Sequence, residues 1–186
     1  MITTATGTMT LDEFLRLHGG ETCIELVRGQ VVRYPMPGGP HGYICNNASL
    51  IITLFVREHQ LGRVFSNDTF TRTRLKETTD SVRGPDVAFV SFVRMPKGPI
   101  PDGPLPCAPD LVVEVRSPSD RISQLTAKAS EYLDAGTTVV IVLDPETESL
   151  AVFRENELPI RMHNSDELTL PDVLPGFSVE AKKFFE

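Results

Sequence analysis

Two acids and a lysine carry the chemistry that this sequence offers. Asp86 stands in Gly84-Pro85-Asp86-Val-Ala-Phe-Val, at the head of an apolar, strand-like run. Glu114 stands inside a second run, Pro109-Asp110-Leu-Val-Val-Glu114-Val-Arg116, and Lys128 follows in a helix-patterned segment. This order suggests a divalent-metal phosphodiesterase centre. Mg²⁺ takes a few hard carboxylate oxygens and keeps open water positions, while a lysine can steady a nucleophilic water or a phosphate oxygen. Glu114 is the sharper signal, because an ionised side chain on a buried strand is costly unless paired or metal-bound. A salt bridge to Arg116 or Arg121, or an exposed strand end, would also accommodate it. Lys128 lies at the edge of a helical face shared by Leu125, Tyr132 and either Ala129 or Leu133. Alone it would read as a surface lysine leaning its stem along the core.

The bulk of the chain is that of an ordinary globular protein, and its 186 residues suffice for one well-buried domain. The net charge of −7 argues against a generally nucleic-acid-binding surface. The distribution qualifies that: residues 1–109 hold 11 Lys and Arg against 10 Asp and Glu, and residues 110–186 hold 7 against 15. Arg63, Arg72, Arg74, Lys76, Arg83, Arg94 and Lys97 flank Asp86 and read either as a phosphate-binding rim or as a solvated hairpin. Cys23, Cys45 and Cys107 are odd in number and lack CxxC spacing, so neither a disulfide framework nor a zinc site is expected. No signal peptide or membrane span is visible, and the expected setting is the cytoplasm.

The positioning elements follow from punctuation and periodicity. Residues 1–9 are Thr-rich and expected to be disordered, leaving 10–186 as a single domain. Thr10-Leu-Asp-Glu13 has the form of a capping box opening a short helix that ends near His18-Gly19-Gly20. Arg28-Gly29 divides two short apolar runs as the turn of a β-hairpin. The periodicity predicts a helix over 41–60, strands over 63–73, 86–92 and 111–115, a helix over 119–135 and a strand over 138–143. Leu150 to Arg154 and a short tail then complete the chain. Residues 95–106 contain five prolines and read as a stiff, extended connection. The order αβββαβ gives an α/β mixed sheet with helices on its faces, preceded by the N-terminal helix and hairpin.

Arg83-Gly-Pro-Asp86-Val, Pro109-Asp-Leu-Val-Val-Glu114-Val-Arg-Ser117-Pro-Ser119 and Lys128-x-x-x-Tyr132-x-x-x-Gly136 together resemble the Uma-type restriction-endonuclease-like family. That family is part of the PD-(D/E)XK nuclease superfamily. The match extends through Ile24-Glu25-Leu-Val-Arg-Gly29, Gly39-Pro-His41-Gly42, Leu143-Asp144-Pro145 and Leu174-Pro-Gly-Phe177, covering about residues 10–180. The resemblance implies a restriction-endonuclease-like core and a divalent-metal-dependent endonuclease acting on DNA. It places Asp86 and Glu114 as the metal-binding acids, with the Val115 carbonyl beside them and Mg²⁺ or Mn²⁺ as the ion. Lys128 stands for the motif lysine, which would otherwise fall on Arg116; an arginine could hold a phosphate but is a poor proton acceptor. Glu25 and His41 match positions that would help line the pocket. Gln124 replaces an aspartate one helical turn before the lysine; it could hydrogen-bond the ammonium without supplying charge. A nuclease-fold module that binds DNA or a protein partner without cutting is the alternative. Cutting both strands from a domain this size favours a C2 homodimer, with the hairpin 24–34 and the segment 95–106 as candidate contacts.

Overall fold

The computed structural model describes residues 8–73 and 81–186. The segment 74–80, which carries Arg74 and Lys76, and residues 1–7 lie outside the described residues. Helix α1 (Leu11–His18) starts at the predicted capping box: Glu13 N–H donates to the Thr10 hydroxyl while the Glu13 carboxylate accepts from Thr10 N–H. It lays Phe14 on β1 (Ile24–Val27) and β2 (Gln30–Arg33), whose hairpin turns through Arg28 (φ 51°) and Gly29 (φ 73°). Two consecutive positive φ values define the turn whose twist suits a two-residue hairpin.

Helix α2 (Gly39–Glu58) carries Pro40 in its first turn, where the missing N–H costs nothing, and buries Ile44, Ala48, Ile52 and Val56. Strands β3 (Gly62–Ser66), β4 (Thr71–Arg72), β5 (Val82–Arg83), β6 (Val87–Ser91) and β7 (Leu111–Val115) follow. The strand predicted over 63–73 is thus two, because Asn67 (φ 60°) and Asp68 (φ 54°) turn the chain through left-handed backbone and break the ladder. Helix α3 (Ile122–Asp134) leads to β8 (Val139–Asp144), β9 (Ser149–Phe153), β10 (Ile160–His163), β11 (Glu167–Leu170), β12 (Leu174–Glu180) and a closing 3-10 turn, Ala181–Phe184. Helix α3 begins three residues later than the sequence predicts, because the Asp120 carboxylate caps Ser117 N–H and holds 117–120 in a turn.

The principal sheet has the order β10-β9-β8-β7-β6-β3, and only β7 and β8 are parallel, joined by the α3 crossover. A smaller antiparallel sheet, β2-β1-β5-β4, stands beside it, and β11-β12 forms a ribbon. Strand alternation divides the core of the principal sheet. Leu111, Val113 and Val115 face α2 together with Val139, Ile141 and Leu143. Val112 and Val140 face α3, meeting Ala129 and Tyr132. The tail from β11 onward, little of which the sequence foretold, closes the α2 side with Leu168, Leu170, Leu174, Phe177 and Phe184. Among the described residues no helix is long and apolar enough to cross a membrane.

Candidate active site

The site lies where the small sheet meets the principal one. Strand β5 ends in Arg83 and passes through Gly84-Pro85 to Asp86, which precedes β6. The register Val87↔Val113 brings Asp86 beside the end of β7, where its Oδ2 accepts from Val115 N–H at 2.6 Å. Glu114 shares the α3-facing side of β7 with Val112. Lys128 Nζ reaches its Oε2 at 2.8 Å, and the buried Tyr132 hydroxyl donates to its Oε1 at 2.8 Å. The i,i+4 spacing of Lys128 and Tyr132 puts both on one helix face above the acid.

Lys128 also ties the two sheets together, since its ammonium lies 3.1 Å from Glu25 Oε1 on β1. Glu25 is buried and fully engaged: Gly84 N–H donates to Oε1 at 3.0 Å, while Tyr34 hydroxyl (2.7 Å) and Arg83 (2.8 Å) donate to Oε2. Burial works to raise the Glu25 carboxyl, but the charges of Lys128 and then Arg83 outweigh it and hold it at about 2. Burial likewise opposes the Lys128 charge, yet Glu114 and Glu25 keep the ammonium well above the ordinary lysine range. The other two acids go the opposite way. Burial pushes Asp86 up to about 6 against the Val115 N–H and the Lys128 charge. Burial also lifts Glu114 to about 7; Lys128 opposes this, and repulsion from Asp86 and Glu25 reinforces it.

Burial, more than the Lys128 charge can offset, keeps both acids raised. The carboxyls of Asp86 and Glu114 at the end of β7 are hard oxygen donors, and a divalent cation would offset their charge. Each Glu114 oxygen accepts one hydrogen bond and keeps a second lone pair. The residues present thus fit a divalent ion.

Of the predicted rim, Arg83 is a correction. It is buried, paired with both Glu25 and Glu131, because it fills the junction between β5, β1 and α3. Arg94 staples loops, bonding Asp110 and the carbonyls of Ala108, Pro109 and Gly136. Arg63 donates to the Gly98 carbonyl, and Lys97 lies 5.1 Å from the Phe92 ring centre. Arg72 is exposed on β4. Gln124 is a second correction: its side chain accepts from Arg121 N–H at the start of α3, not from Lys128. Arg116 pairs with Asp144 and Glu146 rather than Glu114, and lines a cleft of about 410 Å³ with His41, Ser117 and Pro118.

Several contributors escape the sequence reading. Tyr34 and Glu131 complete the Glu25–Arg83 network. Asp68 approaches from the loop after β3, close enough to raise Asp86 and Cys45 by repulsion. A Cβ at Gly84 would stand only 3.0 Å from that of Asp68, which explains the glycine. His41 Nε2 lies 3.5 Å from Asp86 Oδ2, and Cys45 Sγ lies 3.3 Å from His41 Nδ1. Their i,i+4 spacing on α2 is the signal that could have found Cys45.

The fold matches the crystal structure described as a putative nuclease belonging to DUF820 from Anabaena variabilis ATCC 29413. The TM-score is 0.80 at 24% identity, with 95% of this chain and 97% of that one covered. Among curated proteins no match is found. The model of the Uma2 family, described as putative restriction endonuclease, matches residues 11–182, which span both acids, the lysine and nearly every described element. By that match over most of its length, the chain belongs to the Uma2 family.

Proposed function

We propose that this protein is a divalent-metal-dependent endonuclease hydrolysing phosphodiester bonds, with DNA as substrate. The observation that carries this reading is the Glu114 carboxylate, buried beside Asp86 yet bonded to a lysine that a second buried acid also orients. Asp86, Glu114 and the Val115 carbonyl would hold one Mg²⁺ or Mn²⁺. Such an ion supplies a water of lowered pKa and offsets charge on the phosphoryl oxygens.

The chain's own residues then have distinct parts. Lys128 presents a permanently charged ammonium, directed by Glu114 and Glu25, to a phosphate oxygen or to the attacking water. Tyr132 fixes the carboxylate plane of Glu114 through its hydroxyl. Arg83 balances Glu25, so that Lys128 is not fully neutralised by it. The cleft beside His41 and Arg116, at the carboxyl ends of parallel strands β7 and β8, suits entry of the strand to be cut. A C2 dimer would present one such site to each strand.

The test is incubation of supercoiled and single-stranded DNA with Mn²⁺, with EDTA and Glu114→Gln as controls. Cleavage leaving 5′-phosphate ends, lost in both controls, is expected. A folded protein that cuts neither substrate, but binds DNA equally with and without EDTA, would point instead to a non-cutting module.

A further inference from the structure

Beside the acid pair, a chemically different donor set shares Asp86. His41, Cys45 and Asp86 each offer a ligand atom, and these atoms lie within 4.8 Å of one another. Among the described residues no other grouping of His, Cys and acids is this tight, and Glu114 does not join it. His41 and Cys45 sit one turn apart on α2, so a rigid helix fixes their spacing. His41 lies between the other two, its Nδ1 3.3 Å from the thiol and its Nε2 3.5 Å from the carboxylate, and one of the two nitrogens would ligate. The His41 and Asp86 side chains are each only 12% exposed, and Cys45 is half-buried.

We propose that His41, Cys45 and Asp86 form a binding site for a borderline-soft transition metal, Zn²⁺ above all, that competes with the hard divalent ion for Asp86. The competition rests on the nuclease reading; the site itself does not. Thiolate and imidazole select Zn²⁺ over Mg²⁺, whose preference is for oxygen. A tetrahedral zinc ion needs donors roughly 3.4–3.8 Å apart, and the three ligand atoms, all within 4.8 Å of one another, stand close to that spacing. On binding, the Cys45 S–H proton passes to solvent, a sulfur–metal bond forms and the fourth position stays open to water.

The experiment is titration of the full chain with Co²⁺ as a spectroscopic substitute for Zn²⁺. A thiolate-to-cobalt charge-transfer absorption is expected, displaced by Zn²⁺, diminished by Mg²⁺ only in large excess and lost in Cys45→Ser. In parallel, Zn²⁺ should protect Cys45 of the unmutated protein from alkylation, because the same thiolate cannot both ligate the metal and attack the reagent. Cys23 and Cys107, read by peptide mass spectrometry, serve as internal references. Absence of the absorption, its persistence in Cys45→Ser, or alkylation indifferent to Zn²⁺ would overturn the site. Neither readout involves DNA, so a protein that binds Co²⁺ through Cys45 but cuts nothing keeps this site and loses the nuclease reading alone.

Discussion

Glu114 and Asp86 are held as acids that ionise late, and Glu25 as one that ionises early. Their opposite directions make the pH dependence informative. Folded-state values near 6 and 7, against about 4 when unfolded, mean that Asp86 and Glu114 bind protons more tightly in the native state. Their contribution to stability is full below about pH 4 and is lost as pH rises through 6 and 7. Glu25, held near 2, contributes above about pH 4 and loses that contribution as pH falls toward 2. A bound divalent ion favours the ionised forms of Asp86 and Glu114. Mn²⁺ should therefore raise the melting temperature more at pH 8 than at pH 5, measured against EDTA. An equal rise at both pH values would argue that the ion binds elsewhere. Lys128→Met leaves Glu25 and Glu114 buried with one cation fewer, so it should cost about 3 kcal/mol in urea denaturation. Tyr132→Phe removes one bond to Glu114 and should cost about 1–2 kcal/mol.

At the level of elements, the positions of Asp86, Glu114 and Lys128 come from β6, β7 and α3, and these were legible. Apolar runs bounded by Gly and Pro mark strands, and the apolar face around Leu125 and Tyr132 marks the helix. The small sheet was only half legible: the hairpin announces itself through Arg28-Gly29, but two-residue strands such as β4 and β5 carry no periodicity. The burial of Arg83 leaves no trace in the sequence for that reason. An arginine followed by Gly-Pro looks like a loop charge, and only the pairing of β5 with β1 reveals that it is enclosed by Glu25 and Glu131. Its role is architectural. Arg83→Met should destabilise the fold by about 3 kcal/mol. Because Arg83 is buried rather than presented to phosphate, the salt slope of DNA binding should not change. A slope reduced by about one would return Arg83 to the nucleic-acid interface.

At the scale of the molecule, the described residues form a six-stranded sheet with a second, four-stranded sheet at its side, and the candidate site is the seam between them. The core order αβββαβ and the family were readable from spaced motifs. The closing β11-β12 ribbon was not, because its alternating pattern is short and gains meaning only against the α2 face it covers. If the chain assembles as a C2 dimer, sedimentation equilibrium should give twice its 20.5 kDa mass. The central question is whether one divalent ion rests on the acids at the seam, and calorimetric titration with Mn²⁺ answers it most directly. One ion per chain is predicted for the unmutated protein, with affinity falling at least about tenfold in Asp86→Asn and in Glu114→Gln. Isotherms unchanged by both substitutions in folded protein would contradict the assignment of Asp86 and Glu114 as the metal-binding acids.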